Sequence, residues 1–253
     1  MRLNEQLEIA LTEINALDAC NTFSAKEIIS VIDLTLLNAE VTPDSINALV
    51  SKANQEQVAA VCLLPAHLND ISLTGQVRLA TVLNFPTGNE PLKDVLKQLE
   101  HIRSCYPVDE IDYVFPYQQY LMGQEDEALM HCHQVYTCCK NNNLLFKVIL
   151  ETSAHPSILA TYTLSRAILN QGCDFIKSST GKLTSGATLP AAFAMLLAIK
   201  DSESPAGIKV SGGIKTIKEA LSYMQLTQHV LKKITNKTLF RIGASQLLNE
   251  LTP

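Results

Sequence analysis

Ile28-Ile29-Ser30-Val31-Ile32 runs straight into Asp33-Leu34-Thr35-Leu36-Leu37-Asn38, and the fold turns on how this stretch is read. The first five residues are a β-branched run that predicts a strand, and the next six carry the chain out of it. Thr42-Pro43-Asp44 then combines an N-cap, a proline at the first helical position and an acid in the first turn. Ile46, Leu49, Val50 and Ala53 continue as an apolar stripe of helical period. A strand handing over to a helix is the opening of a parallel βαβ unit. An open, doubly wound dinucleotide-binding sheet would need Gly-x-Gly-x-x-Gly at this first turn, and residues 33–38 contain no glycine.

The same rhythm continues along the chain. Val58 to Leu64, Val77 to Leu83, Glu110 to Phe115, Leu145 to Leu150, Cys173 to Ile176, Gly207 to Val210 and Leu239 to Ile242 are further strand candidates. Between them lie helical stripes such as Val95, Leu96, Leu99 and Ile102 after Pro91-Leu92, and a capping box at Thr216-Ile217-Lys218-Glu219. About eight such units in a chain of this length match a closed barrel. The expectation is an α/β fold, a (β/α)8 TIM barrel forming a single domain over residues 1–253. Leu3, Leu7, Ala10, Leu11 and Ile14 add an extra N-terminal helix ahead of the first strand.

Composition narrows the function classes. The 253 residues are 47% hydrophobic and 18% charged, which supplies a core and excludes a disordered chain. A net charge of −5, from 20 basic and 25 acidic residues, argues against a nucleic-acid partner. The longest apolar run, Leu189 to Ile199, contains Pro190 and is too short to span a membrane. The N-terminal Met-Arg-Leu-Asn-Glu-Gln-Leu-Glu is polar at helical intervals and unlike a signal peptide, so a cytoplasmic protein is expected. Seven cysteines with no Cys-x-x-Cys pair indicate neither a disulfide framework nor a zinc ribbon. His131-Cys132-His133 reads as two helix-face polar residues flanking a buried thiol, because residues two apart on a helix diverge.

A barrel carries its site at the C-terminal ends of its strands. The polar residues expected there are Asp33, Thr35, Asn38, Cys62, Asn84, Thr87, Asn89, Asp112, Lys147, Glu151, Lys177 to Thr180, Lys182, Lys209, Ser211, Arg241 and Ser245. Two lysines are set in apolar strand sequence, in Cys173-Asp174-Phe175-Ile176-Lys177 and in Ile208-Lys209-Val210. Both faces of a barrel strand are covered, which directs these ammonium groups into the barrel mouth. The plainer reading makes them structural, each paired with a carboxylate such as Asp112, Glu151 or Asp33. The chemical reading makes one a nucleophile. Burial and a neighbouring ammonium both disfavour its charge, and a neutral amine attacks carbonyl carbon to form a Schiff base. Asp112 would then exchange protons with the intermediates.

Ser211-Gly212-Gly213 and Gly243-Ala244-Ser245 end the last two strand candidates, where barrel enzymes often hold phosphate on backbone N–H groups. Lys182 and Lys215 are expected beside these turns. Thr180-Gly181-Lys182 is not a P-loop: residue 176 is Ile where the first glycine belongs, and Leu183 stands where Ser or Thr would bind magnesium.

Seven segments resemble the deoxyribose-phosphate aldolase family. They are Ile-Asp-Leu-Thr-Leu-Leu-Asn (32–38), Asn-Phe-Pro-Thr-Gly-Asn (84–89), Asp-Glu-Ile-Asp-Tyr-Val-Phe-Pro-Tyr (109–117) and Phe-Lys-Val-Ile-Leu-Glu-Thr (146–152), with Asp-Phe-Ile-Lys-Ser-Ser-Thr-Gly-Lys (174–182), Ile-Lys-Val-Ser-Gly-Gly-Ile-Lys-Thr (208–216) and Arg-Ile-Gly-Ala-Ser (241–245). The resemblance covers about residues 28 to 248 in family order. It implies a class I aldolase that needs no metal or other cofactor. That enzyme interconverts 2-deoxy-D-ribose 5-phosphate with acetaldehyde and D-glyceraldehyde 3-phosphate in deoxyribose catabolism. It implies Lys177 as the Schiff-base lysine, Lys209 as the lysine that perturbs it, and Asp112 as proton donor and acceptor. Substrate contacts would come from Asp33, Thr35, Cys62, Thr180, Lys182, Gly212, Gly213, Gly243 and Ser245. The resemblance also implies a homodimer acting on small phosphorylated sugars and aldehydes.

The sequence departs from the pattern at Lys215, where relatives often carry arginine, at Gln246, and in lacking the terminal tyrosine of some members; Tyr223 is the last here. Two alternatives stay open: another Schiff-base barrel lyase, and a non-catalytic phosphosugar-binding barrel.

Overall fold

A computed structural model describes residues 3–16 and 23–252. Met1, Arg2 and Cys20, which entered the reading of the N-terminus and of the cysteines, lie outside the described residues. Eight parallel strands close on themselves in sequence order, with β8 paired to β1. They are β1 (Ile32–Leu36), β2 (Ala60–Leu63), β3 (Arg78–Leu83), β4 (Glu110–Val114), β5 (Leu145–Ile149), β6 (Phe175–Lys177), β7 (Gly207–Ser211) and β8 (Phe240–Ala244). This is the TIM barrel that the alternation of strand and helix predicts.

The described helices are α1 (Leu3–Ala16), α2 (Ala25–Ile29), α3 (Pro43–Glu56), α4 (Leu92–Cys105), α5 (Tyr117–Leu121), α6 (Glu125–Asn141), α7 (Ile158–Gln171), α8 (Leu189–Asp201), α9 (Ile217–Leu231) and α10 (Leu247–Leu251). The extra N-terminal helix is α1, and it packs on α8 and α9. Thr42 caps α3 by accepting from the Ser45 N–H, with Pro43 at its first position. The capping box of α9 forms as its sequence specifies, Thr216 and Glu219 each accepting from the other's backbone N–H. The His131-Cys132-His133 segment lies in α6, with the Cys132 thiol buried. Among the described residues no helix is long and apolar enough to cross a membrane.

Two expectations need correction. Ile28 and Ile29 are not strand residues but the buried end of α2. Ser24 Oγ accepts from the Glu27 N–H at 3.3 Å, and Glu27 accepts from the Ser24 N–H at 2.8 Å. That capping box overrides the β-branched preference of the two isoleucines. The first strand therefore starts later, and Asp33 and Thr35 lie inside it rather than after it. The second correction is the link from β2 to β3, which holds only a 3-10 turn at Pro65–His67. Asn69, Asp70 and Gly75 punctuate that link, with positive φ at Asp70 and Gly75.

Parallel register sets which side chains meet inside the barrel. Asp112 pairs with Lys147, Lys177 with Lys209, and Lys209 with Arg241 across adjacent strands. Residues in register on neighbouring strands point the same way. The closed sheet thus gathers charged side chains on its axis, where a barrel of this kind is ordinarily packed with Val, Ile and Leu.

Candidate active site

Lys177, Lys209 and Asp112 meet in the barrel interior. Asp112 Oδ2 accepts from Lys177 Nζ at 2.9 Å and from Lys209 Nζ at 2.7 Å. Its other oxygen accepts from Lys147 Nζ at 2.6 Å. Three ammonium positions thus converge on one buried carboxylate. Asp33 Oδ2 lies 2.5 Å from Lys209 Nζ, and Asp33 Oδ1 accepts from Arg241 at 2.6 Å. Glu110 completes the set, 2.6 Å from Lys147 and 3.0 Å from Arg241. All seven side chains are buried.

The sequence places Lys147 among the strand-end residues but gives it no role, although Leu145-Phe146-Lys147-Val148-Ile149 carries the same signal of one ammonium in an apolar strand. That reading leaves Glu110 out of the strand-end residues and gives Arg241 no role. Of the three carboxylates offered as structural partners, Asp112 and Asp33 do pair with the lysines. Glu151 instead accepts from the Thr180 N–H and hydroxyl.

The three lysines are not equivalent. Lys147 lies on three carboxylates, Asp33 at 3.7 Å and Glu110 and Asp112 at 2.6 Å. Burial acts against its charge, but those neighbours outweigh it and hold its pKa above the ordinary lysine value. Lys209 has two carboxylates, Asp112 and Asp33, and is likewise raised against the effect of burial. Lys177 has Asp112 alone among the described residues and shares that oxygen with Lys209. Burial and the Lys209 charge together outweigh Asp112, and the Lys177 pKa is lowered. Asp112, though buried, is held well below the carboxylate range by Lys147, Lys177 and Lys209. The arrangement creates one amine biased toward its neutral, nucleophilic form beside a carboxylate and a committed ammonium.

Lys177 opens upward into a cavity of about 210 Å³ at the C-terminal ends of the strands. Thr35, Thr180, Lys182, Gly212, Gly213, Gly243 and Ser245 line it, as does Lys215. Asp33 and Cys62, also expected as substrate contacts, sit below the lining. Asp33 is spent on Arg241 and Lys209. The Cys62 thiol is buried, and burial pushes its pKa up to about 11. Thr35 and Thr180 line the space, but their hydroxyls donate to the Asp33 carbonyl and to Glu151.

Two glycines sit in tight surroundings. A Cβ on Gly243 would lie 3.0 Å from Ser211 Cβ and 3.2 Å from Lys209 Cε, closer than ordinary van der Waals contact. A Cβ on Gly212 would lie 2.7 Å from Ser179 Oγ and 2.8 Å from Gly186 Cα. Gly212 and Gly213 both have positive φ, 91° and 87°, backbone that glycine adopts without a Cβ penalty. Beyond Gly213 the space is open. Lys182 and Lys215 add positive charge to this end of the cavity, and Lys182 Nζ reaches Asn38 Oδ1 at 3.4 Å.

Residues 27–251 match the DeoC/LacD family aldolase description. A deoxyribose-phosphate aldolase from Agrobacterium fabrum is 35% identical over 230 residues, covering 88% of each chain. A tetrameric deoxyribose phosphate aldolase from Aeropyrum pernix superposes with a TM-score of 0.76 at 22% identity, covering 96% of this chain and 95% of that one. At that identity the likeness bears on the fold alone.

Proposed function

We propose, from the premise that this chain belongs to the DeoC/LacD family of aldolases, that it cleaves 2-deoxy-D-ribose 5-phosphate reversibly to acetaldehyde and D-glyceraldehyde 3-phosphate. The chain is a carbon–carbon lyase, and the substrate is the one named for its Agrobacterium relative. The observation that carries the reading is the single carboxylate oxygen shared by Lys177 and Lys209, which leaves Lys177 as the amine with least support for its charge.

In this reading the Lys177 amine attacks the aldehyde carbon of the open-chain sugar, and loss of water gives an iminium. The C3 hydroxyl gives up its proton, the C2–C3 bond breaks, and its electron pair moves to the iminium as an enamine. Glyceraldehyde 3-phosphate departs. The enamine takes a proton on carbon, and water releases acetaldehyde and restores the amine. Asp112, within reach of Lys177 and Lys209, is the group placed to pass those protons. The phosphate occupies the end of the cavity formed by Gly212, Gly213, Gly243 and Ser245, with Lys182 and Lys215 beside it. The iminium supplies the electron sink, so the reaction uses no metal and no other cofactor. Residues 1–253 act as one barrel domain in the cytoplasm, as a homodimer, on small phosphorylated sugars and aldehydes, with no role for nucleic acid.

The test is reduction by borohydride in the presence of acetaldehyde, read by mass spectrometry, alongside retro-aldol activity on 2-deoxyribose 5-phosphate with and without EDTA. A stable adduct on Lys177 and EDTA-insensitive cleavage are expected. Adduct without cleavage of this sugar leaves another Schiff-base lyase. No adduct leaves a phosphosugar-binding barrel.

A further inference from the structure

The buried charges do not stop at the site. They continue down the barrel axis to a second cavity of about 350 Å³ at the N-terminal ends of the strands, lined in part by Arg78, Glu110, Asp174, Lys237 and Arg241. Two routes of alternating sign lead from Arg241 to Lys177. One runs Arg241, Asp33, Lys209, Asp112, Lys177, with contacts of 2.6, 2.5, 2.7 and 2.9 Å. The other runs Arg241, Glu110, Lys147, Asp112, Lys177, with contacts of 3.0, 2.6, 2.6 and 2.9 Å.

Four basic side chains, Lys147, Lys177, Lys209 and Arg241, are thus held on three carboxylates, Asp33, Glu110 and Asp112. Among the described residues none of the seven is more than 4% exposed. Glu151 is also buried, but its oxygens are on Thr180 and Ser153, and among the described residues it makes no ion pair within 4 Å. The Cys62 thiol faces the same network and stays neutral below about pH 11. Lys182 and Lys215 line the upper cavity. The network is electroneutral only when one of the four cations has lost its proton. Arginine does not lose one, and Lys147 and Lys209 each hold at least two carboxylates. The vacancy falls on Lys177.

Resting on the Schiff-base reading of Lys177, we infer that Arg241 and Glu110 are positioning residues that set the protonation state of Lys177 from the opposite end of the barrel. They touch neither the amine nor the upper cavity. Arg241 holds Asp33 Oδ1 and so limits what Asp33 gives to Lys209, which keeps Lys209 on Asp112 in competition with Lys177. Glu110 holds Lys147 and so limits its draw on the other Asp112 oxygen. Removing the two charges has opposite consequences. Without Arg241, three cations face three carboxylates and Lys177 can stay protonated. Without the Glu110 charge, four cations face two carboxylates and Lys177 is driven further toward the amine.

The experiment measures the pH midpoint for adduct formation between acetaldehyde and Lys177, trapped by reduction, in the full chain and in folded variants checked by circular dichroism. Arg241→Gln is expected to raise the midpoint and Glu110→Gln to lower it. Each shift should be about one pH unit, roughly a tenfold change in amine fraction at fixed pH. Arg241→Lys keeps the charge and should hold the original midpoint. The double variant Glu110→Gln, Arg241→Gln removes one charge of each sign and should return to it. Unchanged midpoints, or shifts of the same sign in both single variants, overturn the inference while leaving the Schiff base standing. Should Arg241→Gln fail to fold, Glu110→Gln decides alone, and a midpoint that rises or stays put overturns it. Absence of any Lys177 adduct in the unsubstituted chain instead overturns the function proposed above.

Discussion

Lys177 and Lys209 donate to the same atom, Asp112 Oδ2, from adjacent strands in register. Two ammonium groups cannot both be fully supported by one carboxylate oxygen. Lys209 has Asp33 as a second partner and keeps its charge, whereas Lys177 has none among the described residues. The pair is asymmetric by construction, and the asymmetry selects the nucleophile.

Lys177→Ala should leave a folded barrel that gives no acetaldehyde adduct and no measurable retro-aldol activity. Intact-mass analysis after borohydride and a coupled assay for glyceraldehyde 3-phosphate check this. Adduct surviving at another lysine would move the nucleophile elsewhere.

Lys209→Leu should raise the Lys177 pKa, because it removes the neighbouring ammonium and frees Asp112 Oδ2 for Lys177 alone. A higher pKa means the amine appears at higher pH, so the alkaline shift of the rate profile is the predicted sign. An unshifted profile with full activity would reduce Lys209 to packing.

Lys147→Met should cost about 3–5 kcal/mol of stability, the usual penalty for removing one partner from a buried ion pair. Glu110 and Asp112 each lose a 2.6 Å contact, and the side chain is fully buried. Urea unfolding measures the loss. A change under 1 kcal/mol would mean that Lys147 carries little of the network.

Unphosphorylated 2-deoxyribose should be turned over at least about a hundredfold less efficiently than its 5-phosphate, since charge-assisted bonds contribute ~1.5–3 kcal/mol each and ~1.4 kcal/mol is tenfold. Gly213→Val puts a side chain into the open end of the cavity and should harm the phosphorylated sugar far more than the free one. Gly212→Ala collides with Ser179 and Gly186 and should impair both equally. Thermal unfolding is recorded alongside, because both positions have positive φ. Equal kcat/KM on the two sugars would remove the phosphate site.

Folding stability should fall below pH 3.8 and above pH 10.5, with no decline between. Asp33 and Asp112 are held below their ordinary 3.8, so their contribution is present above that pH and lost as pH falls beneath it. Lys147 and Lys209 are raised from 10.5, so theirs is complete below 10.5 and lost above. Lys177, lowered from 10.5, has the opposite effect in a different window: its cost to folding is relieved as pH rises through its lowered pKa to 10.5, so stability climbs slightly with pH before the alkaline limb begins. Thermal midpoints across pH test this, and a steady decline between pH 6 and 9 would contradict it.

Much of this molecule was legible without coordinates. Strand-to-helix alternation, the missing glycines after Asp33, the Thr42 and Thr216 caps and the glycine turns at 212–213 and 243 are local signals. Backbone propensity and capping act over a few residues, so they can be read from a few residues. Even the misplaced first strand was a local matter, since Ser24 and Glu27 carry a capping box in plain sequence. Ranking the lysines was different. Lys147, Lys177 and Lys209 look alike in sequence, each an ammonium set in an apolar strand. What separates them is the number of carboxylates within reach, three, two or one. That number depends on contacts between strands far apart in sequence, such as Lys209 with Asp33, and on closure of β8 against β1, which brings Arg241 to Asp33. Coulomb energy depends on distance in space and on burial, and no spacing along the chain encodes either. The sequence determined the barrel and the residue types at its mouth. The closed sheet decided which amine is left without a carboxylate of its own.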